Sequence, residues 1–112
     1  MVIDCEEPAR LAEFWRSLVG GVLDDRTQSP DWVAIQGALG LEYLAFQRVL
    51  EPKVVKNRVH LDIGVGDLEA ATRTALRRGA VAVGEVVEEL TNRFQVMRDP
   101  EGNEFCLVKR LS

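Results

Sequence analysis

The sequence lacks the features that would place it in a membrane or on nucleic acid. No apolar run approaches the roughly 20 residues that span a bilayer. The net charge of −4 provides no general attraction for phosphate groups. The first residues show no basic stretch followed by an apolar one, so no secretory signal is visible. We therefore predict a cytoplasmic protein with no nucleic-acid partner and no membrane partner.

Histidine and cysteine are both scarce. The 112 residues include one histidine, His60, and two cysteines, Cys5 and Cys106. The cysteines lie far apart and lack the paired spacing of a structural metal site. In a chain without an export signal, two reduced thiols are favoured over a disulfide.

The order of predicted elements repeats once along the chain. Apolar residues at helical spacing predict helices over 6–21 and 67–79. Alternating apolar residues and turn signals predict strands between and around these helices. The predicted strands are 1–5, 22–28, 31–36, 42–49, 58–65, 80–87, 93–99 and 104–109.

Residue matches support a duplication. Segment 40–48, GLEYLAFQR, aligns with segment 102–110, GNEFCLVKR, at an offset of 62 residues. We predict one α+β domain of tandem βαβββ modules that form an open, cupped mixed sheet. The modules cover residues 1–50 and 58–112, and the polar segment 51–57 connects them.

A polar face on the strand 58–65 is the first candidate ligand site. Arg58, His60 and Asp62 alternate with apolar residues, so they share one face if the whole segment is extended. A concave sheet with a few convergent polar groups is a common ligand site. The alternative for His60 is a hydrogen-bonded structural group, and Asp62 can equally be a partner of Arg58.

Other candidate ligand-binding residues come from the remaining strands. Trp32, Phe46 and Phe94 can wall an apolar pocket, although aromatic residues on strands are more often core. Glu104 shares a strand face with Cys106 and can line the cavity, although surface solvation is its simpler role. Cys106 itself can be a small buried apolar residue.

Three motifs together resemble one known superfamily. They are DCEEPARLAEFWRSLVGG (4–21), KNRVHLDIGVGDLEAA (56–71) and DPEGNEFCLV (99–108). Their combination resembles the glyoxalase/bleomycin resistance/dioxygenase (vicinal oxygen chelate) superfamily, in its glyoxalase-like domain branch. The resemblance implies paired βαβββ modules. It also implies either a metal-dependent lyase, isomerase or dioxygenase, or a metal-free protein that sequesters drugs.

The resemblance also implies where a metal would bind. Metal-dependent relatives place a histidine seven residues before the acidic residue that opens the helix, and here His60 stands seven before Asp67. They place a glutamate seven residues after the Asp of DPxG, where this chain has Cys106. The repeat maps Cys106 onto Leu44, which cannot bind a metal, and the counterpart of His60 falls before Met1.

We therefore expect no standard metal site and no cofactor. If a divalent metal binds, the sequence points to His60, Glu104 and Cys106 as its ligands.

The preferred functional hypothesis is a small-molecule-binding protein with a degenerate metal site. One alternative is a lyase or isomerase in which His60 is the general base and Arg58 stabilises an oxyanion. Another is a metalloenzyme in which a partner subunit supplies the missing ligands of a divalent metal. The short first strand is an edge at which another subunit can pair, so we expect a homodimer.

Overall fold

The structure is a computed structural model that describes residues 1–26 and 29–111. Its elements follow the predicted order of two βαβββ repeats, and the α+β class is confirmed. The first repeat comprises β1 (Val2–Cys5), α1 (Pro8–Val19), β2 (Val22–Leu23), β3 (Trp32–Gln36) and β4 (Tyr43–Arg48), with a 3₁₀ turn at Ala38–Gly40. The second comprises β5 (Leu61–Gly64), α2 (Leu68–Arg77), β6 (Val81–Glu88), β7 (Asn92–Arg98) and β8 (Glu104–Arg110).

The chain divides into two compact units, Met1–Val54 (unit 1) and Val55–Ser112 (unit 2). Each unit contains one open, four-stranded mixed sheet, ordered β1-β4-β3-β2 in unit 1 and β5-β8-β7-β6 in unit 2. In each sheet the strands that come first and last along the chain, β1 with β4 and β5 with β8, pair in parallel. The other pairs are antiparallel. The boundary between the units falls inside the predicted connector 51–57.

Helix α1 supplies much of the core of unit 1. Pro8 occupies the first turn, where backbone N–H groups have no intrahelical acceptor, so the N–H that proline lacks is not needed. The helix is followed by Gly20, which adopts φ +80°. Leu11, Phe14 and Trp15 are buried, and α1 packs on β3 and β4. Helical spacing places these apolar side chains on the face toward the sheet.

Helix α2 and the buried side of β8 form the core of unit 2. The Asp67 carboxylate accepts a hydrogen bond from the N–H of Ala70 at 2.9 Å, so Asp67 is the N-cap of α2. Leu68 is buried at the start of the helix, and Phe105 and Leu107 are buried on one face of β8. The opposite face of β8 is therefore available for polar residues.

A bulge shapes strand β6 in unit 2. The register between β6 and β7 shifts between Val83 and Val87, and Gly84 adopts φ +71°. The buried Gln95 amide donates hydrogen bonds to the carbonyls of Val83 (3.3 Å) and Gly84 (3.1 Å). These bonds tie the bulged part of β6 to β7.

Two predicted strands are shorter than expected. The strand predicted at 58–65 begins only at Leu61. Arg58 lies in a bend and His60 immediately precedes the strand, so the predicted shared strand face is wrong for both, and only Asp62 lies on β5. The strand predicted at 22–28 ends at Leu23, and 27–28 lie outside the described residues. The Asp24 carboxylate accepts the backbone N–H of Arg26 at 3.0 Å, and this local bond turns the chain.

No helix within the described residues is long and apolar enough to span a bilayer.

Candidate functional site

Unit 2 contains a hollow of about 220 Å³, which we call the unit 2 hollow. Strand β8 lies between β5 and β7, so side chains from three strands meet on one face of the sheet. The strand register places Asp62 beside Cys106, and Phe94 beside Val108. The lining residues are His60, Asp62, Glu89, Asn92, Phe94, Cys106 and Val108.

Three chemically different side chains converge in this hollow. One ligand atom from each of His60, Asp62 and Cys106 lies within 4.8 Å of the others. His60 Nδ1 is 3.5 Å from Asp62 Oδ1, and the two side chains remain 43% and 64% exposed. Solvent therefore weakens their mutual attraction, but the carboxylate can still orient the imidazole ring.

The Cys106 thiol is not activated as a nucleophile. Its burial raises the pKa above the usual range of a thiol. The negative charge of Asp62 and the hydrogen bond that the thiol donates to Asp62 raise the pKa further, and the charge of Lys56 only partly opposes them. The thiol is therefore protonated at neutral pH, whereas nucleophilic cysteines need a stabilised thiolate.

Glu104 takes a different role from the one predicted. It shares the β8 face with Cys106, but it is buried, and its Oε2 accepts the backbone N–H of Asn57 at 2.9 Å. The Asn57 side-chain amide donates to the Glu104 carbonyl at 3.5 Å. Among the residues described, the group of potential metal ligands contains Asp62 in place of Glu104. The predicted set of His60, Glu104 and Cys106 is corrected accordingly.

The other predicted site residues are dispersed. Phe94 lines the unit 2 hollow, whereas Arg58 is exposed in a bend and is not one of the lining residues. Phe46 is completely buried in β4, which is a core placement rather than an accessible pocket wall. Trp32 is half-buried in unit 1, with its ring centroid 6.4 Å from that of Tyr43.

Sequence reasoning missed three of the lining residues. Val108 lies two residues after Cys106 on β8, so the two side chains share one face of the strand, and strand periodicity could have predicted Val108 as a lining residue. Glu89 lies in the turn after β6 and Asn92 is the first residue of β7, and the N–H of Glu89 donates to the carbonyl of Asn92 at 2.8 Å. Turn chemistry predicts such a loop, but it does not predict that the loop borders a hollow.

The donors present in the hollow fit a divalent metal ion. The imidazole nitrogen, carboxylate oxygen and thiol sulfur are all recognised ligand types, and three protein ligands are typical of catalytic zinc sites. Binding would require loss of the Cys106 proton. A bound ion would supply Lewis-acid chemistry in the hollow.

The comparisons with known proteins agree with this architecture. The model of the glyoxalase-like domain family matches residues 1–108. A glyoxalase/bleomycin resistance protein/dioxygenase family enzyme from Burkholderia phytofirmans PsJN superimposes with a TM-score of 0.81 at 17% identity, over 99% of this chain and 96% of that one. A search of the curated proteins finds no match.

Two further solved structures show the same fold. The fosfomycin resistance protein FosX from Mesorhizobium loti has a TM-score of 0.73 at 11% identity, covering 97% of this chain and 87% of its own. A glyoxalase-related enzyme from Fulvimarina pelagi has a TM-score of 0.70 at 15% identity, covering 96% and 85%. The family model spans nearly the whole chain, and the protein therefore belongs to the glyoxalase-like domain family.

Proposed function

We propose that this protein binds a small molecule in the unit 2 hollow. The observation that carries the proposal is the convergence of His60, Asp62 and Cys106 in a hollow that Phe94 also lines. An apolar wall with a few convergent polar groups is the usual composition of a ligand site. Elsewhere on β8 the inward-facing residues Phe105 and Leu107 only form core.

The size of the hollow restricts the ligand. Its volume of about 220 Å³ lies below the ~300–1,000 Å³ that drug-sized ligands occupy. The ligand is therefore a small polar compound, or one arm of a larger compound, that stacks on Phe94 and hydrogen-bonds His60 or Asp62. The relatives named for glyoxalase activity and for resistance to bleomycin or fosfomycin support a small-molecule ligand.

A second candidate function is a lyase or isomerase with His60 as general base. The observation that favours it is the 3.5 Å separation of His60 Nδ1 from Asp62 Oδ1. A carboxylate on Nδ1 orients the ring and leaves Nε2 to accept a proton from a bound substrate. The predicted oxyanion role of Arg58 gains no support, because Arg58 is not one of the residues lining the hollow.

A fragment screen followed by amide NMR shifts tests the binding function. We expect binders to perturb residues 60–62, 92–94 and 106–108, and Phe94→Ala to weaken binding because the stacking surface is lost. Trp32→Ala is the matched control, since Trp32 occupies the equivalent repeat position in unit 1. Binders that perturb unit 1 alone, with Phe94→Ala unaffected, would contradict the proposal.

His60→Ala separates the two candidate functions. Retained fragment binding together with loss of a measured turnover supports general-base catalysis, whereas binding without turnover in the unaltered protein supports sequestration. We also propose a cytoplasmic homodimer, as the sequence suggests, and sedimentation equilibrium of the full chain checks its oligomeric state.

A further inference from the structure

We propose that Asp62, with His60 and Cys106, completes a three-ligand site for a thiophilic divalent cation such as Zn²⁺ within unit 2. The proposal rests on the same hollow as the proposed ligand site, but it requires no organic ligand.

The strand register explains why Asp62 is the third ligand. Asp62 lies directly opposite Cys106 in the parallel pair of β5 and β8, and this pairing holds the two residues side by side. His60 lies two residues before Asp62, immediately ahead of β5, and its Nδ1 is 3.5 Å from Asp62 Oδ1. The backbone thus brings all three side chains together before any ion binds.

The distances suit a single ion. Ligand atoms bonded tetrahedrally at ~2.0–2.3 Å are separated by roughly 3.3–3.8 Å from one another. The three ligand atoms here lie within 4.8 Å of one another, and the side chains of His60 and Asp62 are partly exposed. Small rotations of these exposed side chains therefore suffice to close the site.

The donor set selects the kind of metal. A cysteine sulfur favours Zn²⁺ and other soft ions, whereas Mg²⁺, Ca²⁺ and Mn²⁺ prefer sites built of oxygen ligands. Three protein ligands also leave a coordination position for water or for the small molecule. The site therefore differs from the oxygen- and nitrogen-based arrangement that the family resemblance implied.

The site needs no ligand from outside unit 2. The repeat counterpart of Cys106 is Leu44, which is completely buried in β4 and has no donor atom. Glu104, the third ligand expected from the sequence, instead accepts the N–H of Asn57. Asp62 therefore supplies the third ligand of the proposed site.

Titration of the metal-free full-length protein with Co²⁺ and then Zn²⁺ tests the site. We expect one ion per chain, a thiolate-to-cobalt charge-transfer absorption and loss of that absorption as Zn²⁺ displaces Co²⁺. Cys106→Ser should remove the charge-transfer band. Asp62→Asn should weaken Zn²⁺ binding by roughly tenfold or more, since even residues that only support a ligand contribute ~10–100-fold.

Glu104→Gln is the matched control, because glutamine keeps an acceptor for the Asn57 N–H. It should change Zn²⁺ affinity by less than about threefold, a change well below that of losing a ligand. Far-ultraviolet circular dichroism of each variant confirms folding. The proposal is overturned if Asp62→Asn binds normally while Glu104→Gln does not, if no charge-transfer band forms, or if Mn²⁺ competes equally with Zn²⁺.

The outcomes separate this inference from the proposed function. Fragment binding to metal-free protein without any Co²⁺ signal would overturn the metal site and leave the proposed ligand site standing. A Co²⁺ signal lost in Asp62→Asn, without fragment binding, would support the metal site and contradict the proposed binding function.

Discussion

Units 1 and 2 share one topology but use their last strands differently. In β4 of unit 1, Leu44 and Phe46 are completely buried. Their counterparts at an offset of 62 residues, Cys106 and Val108 in β8, are only partly buried and line the unit 2 hollow. The last strand thus forms apolar core in one repeat and lines a partly open hollow in the other.

The first strands of the two units, β1 and β5, also differ in whether they contribute to a site. Val2 of β1 pairs with Ala45, and Ile63 of β5 pairs with Leu107. Ala45 and Leu107 are repeat counterparts at the offset of 62 residues, so Val2 and Ile63 occupy equivalent positions in the two sheets. Next to Ile63, β5 carries Asp62, which approaches both His60 and Cys106. Because the chain has a single histidine, no equivalent group of three can form in unit 1. The difference teaches that the fold is compatible with the site but does not require it.

Glu104 and Glu42 occupy equivalent positions in the two repeats, and replacing each one separately should give the largest difference in stability between the units. Glu104→Ala removes the acceptor of the Asn57 N–H and should lower the free energy of unfolding by about 1–3 kcal/mol. Glu42, its counterpart in unit 1, is exposed, and Glu42→Ala should stay within about 0.5 kcal/mol. Urea denaturation measures both values. Equal losses would show that burial of Glu104 contributes nothing beyond surface solvation.

The two helix starts should also respond differently. Asp67→Ala removes the N-cap hydrogen bond to Ala70 and should cost about 0.5–2 kcal/mol. Glu7 occupies the same position in α1 but makes no capping bond with its side chain, so Glu7→Ala should cost less than about 0.5 kcal/mol. Thermal unfolding compares the variants. A larger loss in Glu7→Ala would contradict the assigned capping difference.

The smallest expected effect concerns the reactivity of the two cysteines in metal-free protein. Because its pKa is raised, Cys106 should react slowly with iodoacetamide at pH 7, and its rate should rise only at a higher pH than for a free thiol. Asp62→Asn should speed the reaction a few-fold, because loss of the negative charge lowers the pKa.

A Cys5→Ser background leaves Cys106 as the single thiol, so the labelling rate reports on Cys106 alone. Mass spectrometry of the labelled protein follows the rate across pH. An unchanged rate in Asp62→Asn would show that Asp62 does not influence the thiol.

Much of the fold could be predicted from the residues. The helices, most strands and the repeated order of elements follow from local patterns, and the helix predicted over 67–79 does begin after Asp67, whose carboxylate bonds the N–H of Ala70. The predicted strand failed at Arg58 and His60, because the alternation of polar and apolar residues extends to residues before the first strand residue, Leu61. Periodicity describes which side chains share a face only where the chain is extended.

The sequence by itself determined the element order and the family, and it named four of the residues that line the hollow, His60, Asp62, Phe94 and Cys106. Only the tertiary structure decided that Asp62, rather than Glu104, joins the histidine and the cysteine, and that Glu89 and Asn92 border the hollow. The physical reason is that β5 and β8 are distant in the chain but neighbours in the sheet. Local patterns specify how a segment folds, whereas the pairing and register between distant strands specify which side chains meet.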